Sequence, residues 1–283
     1  MKELRGRSAL ITGAGGGLGA YIARDLADEG VNLALTDLPE ASVDGLAAEL
    51  RTRGVEVVHA PADLADRDER RRLIAWSEQA LAPIDILVNN AGVEFGGEFL
   101  SSDVEALERT MTVNLVATMD LTRLAVPGMS ERGRGHIVNI GSVAGKLPTP
   151  YLTSYAASKH GVIGFTASLR AELGAEPVGL SVICPGLVRR AGMFARVEPF
   201  LETDSVPMGT VAPERVGEAV VRAIRENVGE IVVNPRPVRP IILLNALAPG
   251  MATRLSRVRP LRDFLERMAR ARRRYEEFSP PRR

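Results

Sequence analysis

Apolar residues fall in short runs separated by stretches at helical spacing. Runs at 8–12, 31–36, 55–59, 85–89, 137–140, 180–184 and 230–234 are four to six residues long, rich in Val, Ile and Leu and bounded by turn formers, which predicts strands. Between them, apolar residues recur every three or four positions over about 20–27, 41–53, 67–81, 103–130, Tyr155 to about 175, and 213–227, which predicts helices. Such alternation makes the fold class α/β, with a doubly wound parallel sheet and helices on both faces. A chain of 283 residues suits one large domain with a substantial core. No internal repeat or low-complexity linker interrupts residues 1–235.

The first predicted strand runs directly into Gly13-Ala-Gly-Gly-Gly17-Leu18-Gly19, and a helix pattern follows. Glycines let backbone approach a pyrophosphate, and a helix N-terminus favours its charge. Strand, glycine turn, helix and a downstream acid together are what a Rossmann-type dinucleotide site requires. The acid is Asp37, which follows the second strand; it can accept from the adenosine ribose hydroxyls and repels a 2′-phosphate. Leu38 and Gly16 offer no cation there, so the expected cofactor is NAD rather than NADP. Asp37 would equally serve as a helix cap.

A second constellation lies further on. Tyr155 and Lys159 are one helical turn apart, so both project from one helix face. Ser142 follows the strand at 137–140, at the carboxyl end where open α/β sheets place ligands. A free phenol, with a pKa of about 10, is a poor base near neutrality. A neighbouring ammonium favours the phenolate, and a serine hydroxyl can hold a carbonyl or alkoxide oxygen against it. The three predict proton transfer at a substrate oxygen, with the glycine turn bringing the hydride carrier.

With these motifs in order, the chain resembles a classical short-chain dehydrogenase/reductase. The resemblance rests on Thr12-Gly13-Ala-Gly-Gly-Gly17-Leu18-Gly19, Asn89-Asn90-Ala91-Gly92, Asn114, Ser142, Tyr155-x-x-x-Lys159, Pro185-Gly186 and the acid Asp63, over about residues 5–235. It implies Tyr155 as general acid/base, Lys159 on the nicotinamide ribose and lowering the phenol's pKa, Ser142 orienting the substrate, and Asn114 holding a relay water. It implies cofactor contacts from Gly13, Gly17, Leu18, Gly19, Asp37, Asp63, Leu64, Asn90, Ala91, Gly92, Tyr155, Lys159, Pro185, Gly186 and Val188. It further implies a homodimer or homotetramer built on the Asn114 and Tyr155 helices. One position departs from the pattern: Arg190 stands where the family usually has a threonine for the nicotinamide carboxamide. Arg190 has three options, namely the cofactor pyrophosphate, an acidic substrate group, or solvent.

Two function classes stay open: an oxidoreductase interconverting a secondary alcohol and a ketone, and a dinucleotide-binding sensor or scaffold without catalysis. The intact Ser142, Tyr155 and Lys159 favour the first. The segment between Pro185 and Pro213, the expected lid at about 187–212, carries Leu187, Val188, Met193, Phe194, Val197, Phe200, Leu201 and Met208, with Gly192 and Gly209 as hinge candidates. That composition fits an apolar, lipid- or steroid-like substrate, and equally a lid packed on its own core.

Charge changes the picture only at the C-terminus. The chain has net charge +1, yet residues 254–283 hold 11 arginines and 4 acids, a basic tail of +7 on a body of −6. Leu261, Phe264, Leu265, Met268 and Tyr275 recur at helical spacing, with Pro260 suited to the first turn. Residues 236–283 thus read as an apolar–basic helical extension beyond a catalytic domain at 1–235. An anionic membrane surface, a neighbouring subunit and the chain's own body all satisfy it; the apolar run at 241–247 is too short to span a bilayer. No nucleic-acid motif is present. The start runs straight into the first strand without a signal-peptide pattern, so a cytoplasmic protein is expected. Cys184 is the sole cysteine and reads as a buried, inert thiol. His59, His136 and His160 have no metal-ligand spacing, so no metal is expected.

Overall fold

The computed structural model describes the chain except residues 175, 203–205, 257, 260 and 279–283, so the expectation for Pro260 lies outside the described residues. Strands β1 (Ser8–Thr12), β2 (Asn32–Thr36), β3 (Val57–His59), β4 (Ile86–Asn89), β5 (Gly135–Ile140), β6 (Val178–Pro185) and β7 (Glu230–Val233) form one sheet in the order β3-β2-β1-β4-β5-β6-β7. Every pairing is parallel. The crossovers are α1 (Gly17–Asp28), α2 (Asp44–Arg51), α3 (Arg67–Ala80), α4 (Val104–Met111) with α5 (Ala117–Glu131), α6 (Thr153–Glu172), and α7 (Gly192–Val197) with α8 (Glu214–Glu226). This is the expected single-domain, Rossmann-type sheet.

Alternation along each strand builds the two layers. Ala9, Ile11, Leu33, Leu35, Ile86, Val88, Val138 and Ile140 join α1, α2 and α8 in one core. Leu10, Ala34, Leu87, Ile137 and Leu180 face the other way, onto α3 and α5. Both faces are buried, which is why these strands read as nearly continuous apolar runs. The side of the sheet taken by the crossovers reverses between β1 and β4. The carboxyl ends of those two strands therefore border the crevice where such folds bind ligands.

Two elements differ from the sequence reading. The helix predicted over 103–130 is interrupted by a π-helical turn at Thr112–Val116, which buries Val113 and Asn114 together. Periodicity misses it because the slip is a single residue within an otherwise helical pattern. The lid also contains the short helix α7, too brief for a periodic signal.

The extension forms α9 (Arg239–Leu247), α10 (Pro249–Ser256) and α11 (Leu261–Phe278). Of the three resting places left open, α11 takes the chain's own body, burying Phe264, Ala269, Ala271 and Arg272. Val238 and Ile242 pack with Val143, Leu147 and Met208, and the Asn245 amide donates to the Lys146 carbonyl at 3.0 Å.

Most polar groups inside the sheet are paired, although Asn89 Oδ1 and Thr36 Oγ1 are buried without a hydrogen-bond partner. The Asn89 amide donates to Asn139 Oδ1 at 2.9 Å and to Thr122 Oγ1 at 3.2 Å, and Asn139 donates to Thr166 Oγ1 at 2.9 Å. His136, on buried β5, lies 2.8 Å from Ser181 Oγ. Burial chiefly, with the positive charges of the N-terminus and Arg170, pushes its pKa down to about 3. The unfolded chain takes up this proton near pH 6.5 whereas the native state refuses it, so stability falls as pH drops from 6.5 toward 3. His136→Gln keeps a polar partner for Ser181 but cannot titrate. Its melting temperature should fall less steeply than wild type between pH 6.5 and 4, as thermal melts in matched buffers will read; parallel slopes would refute this.

Candidate active site

The floor of the crevice is made by side chains that tie loops together. Thr12 Oγ1, at the end of β1, accepts from the amides of Asn90 and Ala91 at 3.1 and 3.0 Å. The Asn90 amide returns to the carbonyls of Thr12 and Gly13, both at 3.0 Å. Gly13 has φ +66°, and a Cβ there would lie 2.8 Å from Ala91 Cα. A Cβ on Gly19 would overlap the Gly13 carbonyl. The turn before α1 is therefore wrapped as tightly as bare backbone allows, and Gly16 at its helix cap makes no side-chain bond. By contrast, Asp66 caps α3 with bonds to two amides. A glycine cradle leading into a helix whose first amides receive no side chain suits a dinucleotide pyrophosphate.

Asp37 closes this half. Its carboxylate accepts from Gly15 N and Leu38 N, each at 2.8 Å, so it is locked against the glycine turn. Asp63 lies beyond β3, where it pairs with Arg109 at 3.3 Å and accepts from Ala65 N at 2.9 Å. The Leu64 carbonyl is held by the buried Arg70 at 2.7 Å. Arg70 also pairs with Asp120 at 2.8 Å, joining α3 to α5.

The other half gathers around the end of β5. Ser142 is extended and caps the turn at Val143–Gly145 by accepting from Ala144 N at 3.1 Å. A Cβ on Gly145 would lie 2.7 Å from the Lys159 backbone, so this turn packs directly on α6. That contact sets the Ser142 hydroxyl beside the Tyr155 phenol, near enough to pull its pKa down. Lys159 is 4% exposed and donates to the Ile140 carbonyl at 2.8 Å. Its Nζ lies 5.7 Å from the centre of the Tyr155 ring. Asn114 sits in the π turn with its amide bonded to Val93: Oδ1 accepts from Val93 N at 2.8 Å and Nδ2 donates to Val93 O at 2.9 Å. Nδ2 also donates to Ser158 Oγ at 3.0 Å, and Ser158 donates to the Tyr155 carbonyl at 2.8 Å. The Cβ position of Gly92 is 3.2 Å from Asn114 Oδ1, 3.5 Å from Met193 Cε and 3.7 Å from Lys159 Nζ. Ser142, Tyr155, Lys159, Asn114 and Gly92 thus meet in one place.

Burial dominates the electrostatics here. It pushes the Tyr155 phenol up to about 12, against the pull of the Ser142 hydrogen bond. It pushes Lys159 down to about 8. The resemblance implies that Lys159 lowers the phenol's pKa; here Lys159 Nζ donates to the Ile140 carbonyl, and burial is the largest influence on the phenol. The Cys184 thiol, fully buried beside them, is pushed up to about 12 by burial first, then by Glu230. It is protonated and inert, as its place in β6 led us to expect.

The lid supplies both floor and cover. Pro185 ends β6, and Gly186 N donates to Val233 O at 2.9 Å. Val188 pairs with Val211 and is buried in the core with Ala191. Phe194 and Val197 are buried too, while Met193 reaches the Gly92 side of the site. Gly192 and Gly209 have φ of +76° and +73°, in the left-handed region that glycine favours. Arg190 turns away from the crevice: it is 64% exposed and pairs with Glu214 at 3.0 Å.

Ser158 escaped the sequence reading, and the bonds of Thr12 to Asn90 and Ala91 and the approach of Met193 to Gly92 join distant segments, which no local pattern announces. Asn89 and Asn139 carried a usable signal, because an Asn inside an apolar strand must find a buried partner.

Comparison with known proteins agrees. The chain is 35% identical to the ketoacyl reductase HetN of Nostoc sp. over 93% of this chain and 91% of that protein. A short chain dehydrogenase/reductase from Burkholderia phymatum, solved with NAD, superposes with TM-score 0.79 at 29% identity, covering 89% of this chain and 96% of the other. A single-substitution variant of actinorhodin polyketide ketoreductase, solved with NADPH, superposes with TM-score 0.75 at 32% identity, over 84% of this chain and 98% of the other. A short chain dehydrogenase family model matches residues 7–201, well over half the chain. The chain belongs to the short chain dehydrogenase family and is an oxidoreductase acting on CH–OH groups.

Proposed function

We propose that the protein interconverts a secondary alcohol and a ketone on an apolar substrate, with NAD(H) as hydride carrier and Tyr155 as general acid/base. The observation that carries this is the meeting of the Tyr155 phenol, the Ser142 hydroxyl and the Lys159 ammonium at the end of β5, across from a glycine turn that holds Asp37. The nicotinamide, when bound, supplies or accepts the hydride. Ser142 orients the substrate oxygen and Tyr155 gives or takes its proton. Lys159 steadies the nicotinamide ribose, and Asn114 holds the water that relays protons from Lys159. Gly13, Gly17, Leu18 and Gly19 hold the pyrophosphate, Asp37 the adenosine ribose, and Asp63 and Leu64 the adenine. Asn90, Ala91, Gly92, Pro185, Gly186 and Val188 border the nicotinamide. The ketoacyl reductase relative is named for a ketone borne on an acyl group, in keeping with an apolar substrate beside Met193.

A catalytic domain at 1–235 carries the chemistry, and the extension at 236–283 serves location and shape. Val104, Val116 and Met119, exposed apolar residues on α4, the π turn and α5, support a homodimer or homotetramer through that face. Peripheral membrane contact is assigned to α9 and α10. Residues 231–262 contain six arginines and no acid, and Leu243, Leu247 and Met251 are more than half exposed. Apolar side chains among cations suit an anionic bilayer surface. Among the described residues no helix is long and apolar enough to cross a membrane.

Tyr155→Phe should reduce turnover by about a thousandfold, the scale of lost acid–base catalysis, with NAD affinity nearly unchanged; retained activity would assign the proton to another group. A phenol near 12 is protonated at neutrality, so wild-type alcohol oxidation should climb steadily from pH 7 to 10 as phenolate accumulates. Oxidation rates independent of pH would contradict this.

Asp37 should make NADH bind at least about tenfold tighter than NADPH, a difference of roughly 1.4 kcal/mol, with Asp37→Ala narrowing the gap. Fluorescence titration of both cofactors decides this, and equal affinities would overturn the assignment.

For the membrane assignment, vesicles of phosphatidylglycerol should co-sediment the wild-type chain at low salt. Binding should fall at about 0.5 M salt and with Leu243→Ser, Leu247→Ser and Met251→Ser combined. Equal binding by the triple variant would refute it.

A further inference from the structure

The last helix, α11, touches both walls of the site. On one side lies the segment after β4. Arg272 forms an ion pair with Glu94, each side chain less than a tenth exposed. The stem of Arg272 crosses Gly96 so closely that a Cβ there would sit 2.5 Å from Arg272 Cδ. Arg273 reaches Glu98 at 3.7 Å. On the other side lies the lid. Arg274 pairs with Glu202 at 2.8 Å, and Arg267 donates to the Glu202 carbonyl at 3.2 Å. Tyr275 meets Phe200 edge to face at 6.1 Å between ring centres. Successive residues 272–275 thus divide their contacts: two bind the 92–98 segment and two bind the lid.

Both walls lead straight to the chemistry. Val93, next to Glu94, makes both backbone bonds to the Asn114 amide. Met193 of the lid and Lys159 Nζ both lie within 4 Å of the Cβ position of Gly92. A buried arginine–carboxylate pair is geometrically demanding, since its charges tolerate neither separation nor water without a large cost. Removing one partner leaves the other charge buried and unpaired.

We propose that α11 is a clasp that forms the outer wall of the substrate site, and that Arg272 is its positioning residue, fixing through Glu94 the distance between the 92–98 segment and the lid. This rests on the alcohol/ketone reading for its substrate and on the contacts above for its geometry. The chemical class served is a long apolar ketone or alcohol, which extends past Met193 to the clasped walls. A short ketone occupies only the space at Ser142 and Tyr155.

The test uses the full chain with NADH and two probe ketones, 2-butanone and 2-dodecanone, together with hydrogen exchange of the free protein. Arg272→Met should raise KM for 2-dodecanone about tenfold, the scale of a displaced binding wall, with kcat within about threefold of wild type. KM for 2-butanone should stay unchanged. The reciprocal swap Glu94→Arg with Arg272→Glu should restore most of the loss, which a merely structural defect would not permit. Amide exchange should quicken together in 93–98, 194–202 and 262–275. Equal losses for both ketones would overturn the proposal, as would faster exchange confined to α11. Should Arg272→Met not fold, Arg274→Ala with Tyr275→Ala breaks the lid contacts and leaves the buried Arg272–Glu94 pair in place; it should raise the 2-dodecanone KM and lid exchange alike, and an unchanged lid would overturn the clasp. If wild type turns over neither ketone, the alcohol/ketone reading fails, while the exchange data still decide the clasp.

Discussion

The cross-link between β1 and β4 is the constraint on which the site depends. At this junction the crossovers part to opposite faces, and a crevice opens whose floor is tied together by the Thr12 and Asn90 side chains. Parallel strands cannot be held there by a tight turn, because their connections run through distant helices. Thr12 and Asn90 perform the joining with four hydrogen bonds between two loop segments. The glycine turn and the Ala91-Gly92 segment then lie a fixed distance apart.

Beyond this junction the site is governed by desolvation. Lys159 and Cys184 are buried and Tyr155 is half-buried beside them, and burial is the leading cause of each one's shift. The effect has opposite signs: the acids are held protonated and the ammonium is brought toward neutrality. Lys159 keeps a carbonyl partner at Ile140. Surroundings of low polarity strengthen any charge introduced beside the phenol.

The tail obeys a simpler rule. A body of −6 and a tail of +7 attract, and the arginines of α11 meet Glu94, Glu98 and Glu202. The exposed pairs contribute little individually. The Arg272–Glu94 pair differs because it is buried, so its geometry matters more than its net energy. The amphipathic spacing of Leu261, Phe264, Leu265 and Met268 brings the helix down on the body, and the arginines choose where.

Much of this protein was legible in its residues. Apolar runs and helical spacing determined the seven strands and their crossovers, because burial on both faces leaves a continuous apolar signature. The glycine turn, Asp37, Ser142, Tyr155 and Lys159 were readable because their chemistry needs those residue types at short, fixed spacings. Only the tertiary structure decided that Arg190 binds Glu214, that a one-residue slip delivers Asn114 to Val93, that Lys159 reaches the Ile140 carbonyl, and that the basic helix closes on Glu94. Each of these depends on groups far apart in the chain and on the water their meeting expels. A local pattern records which side chains can pair, whereas the partner and the dielectric around it are properties of the folded whole.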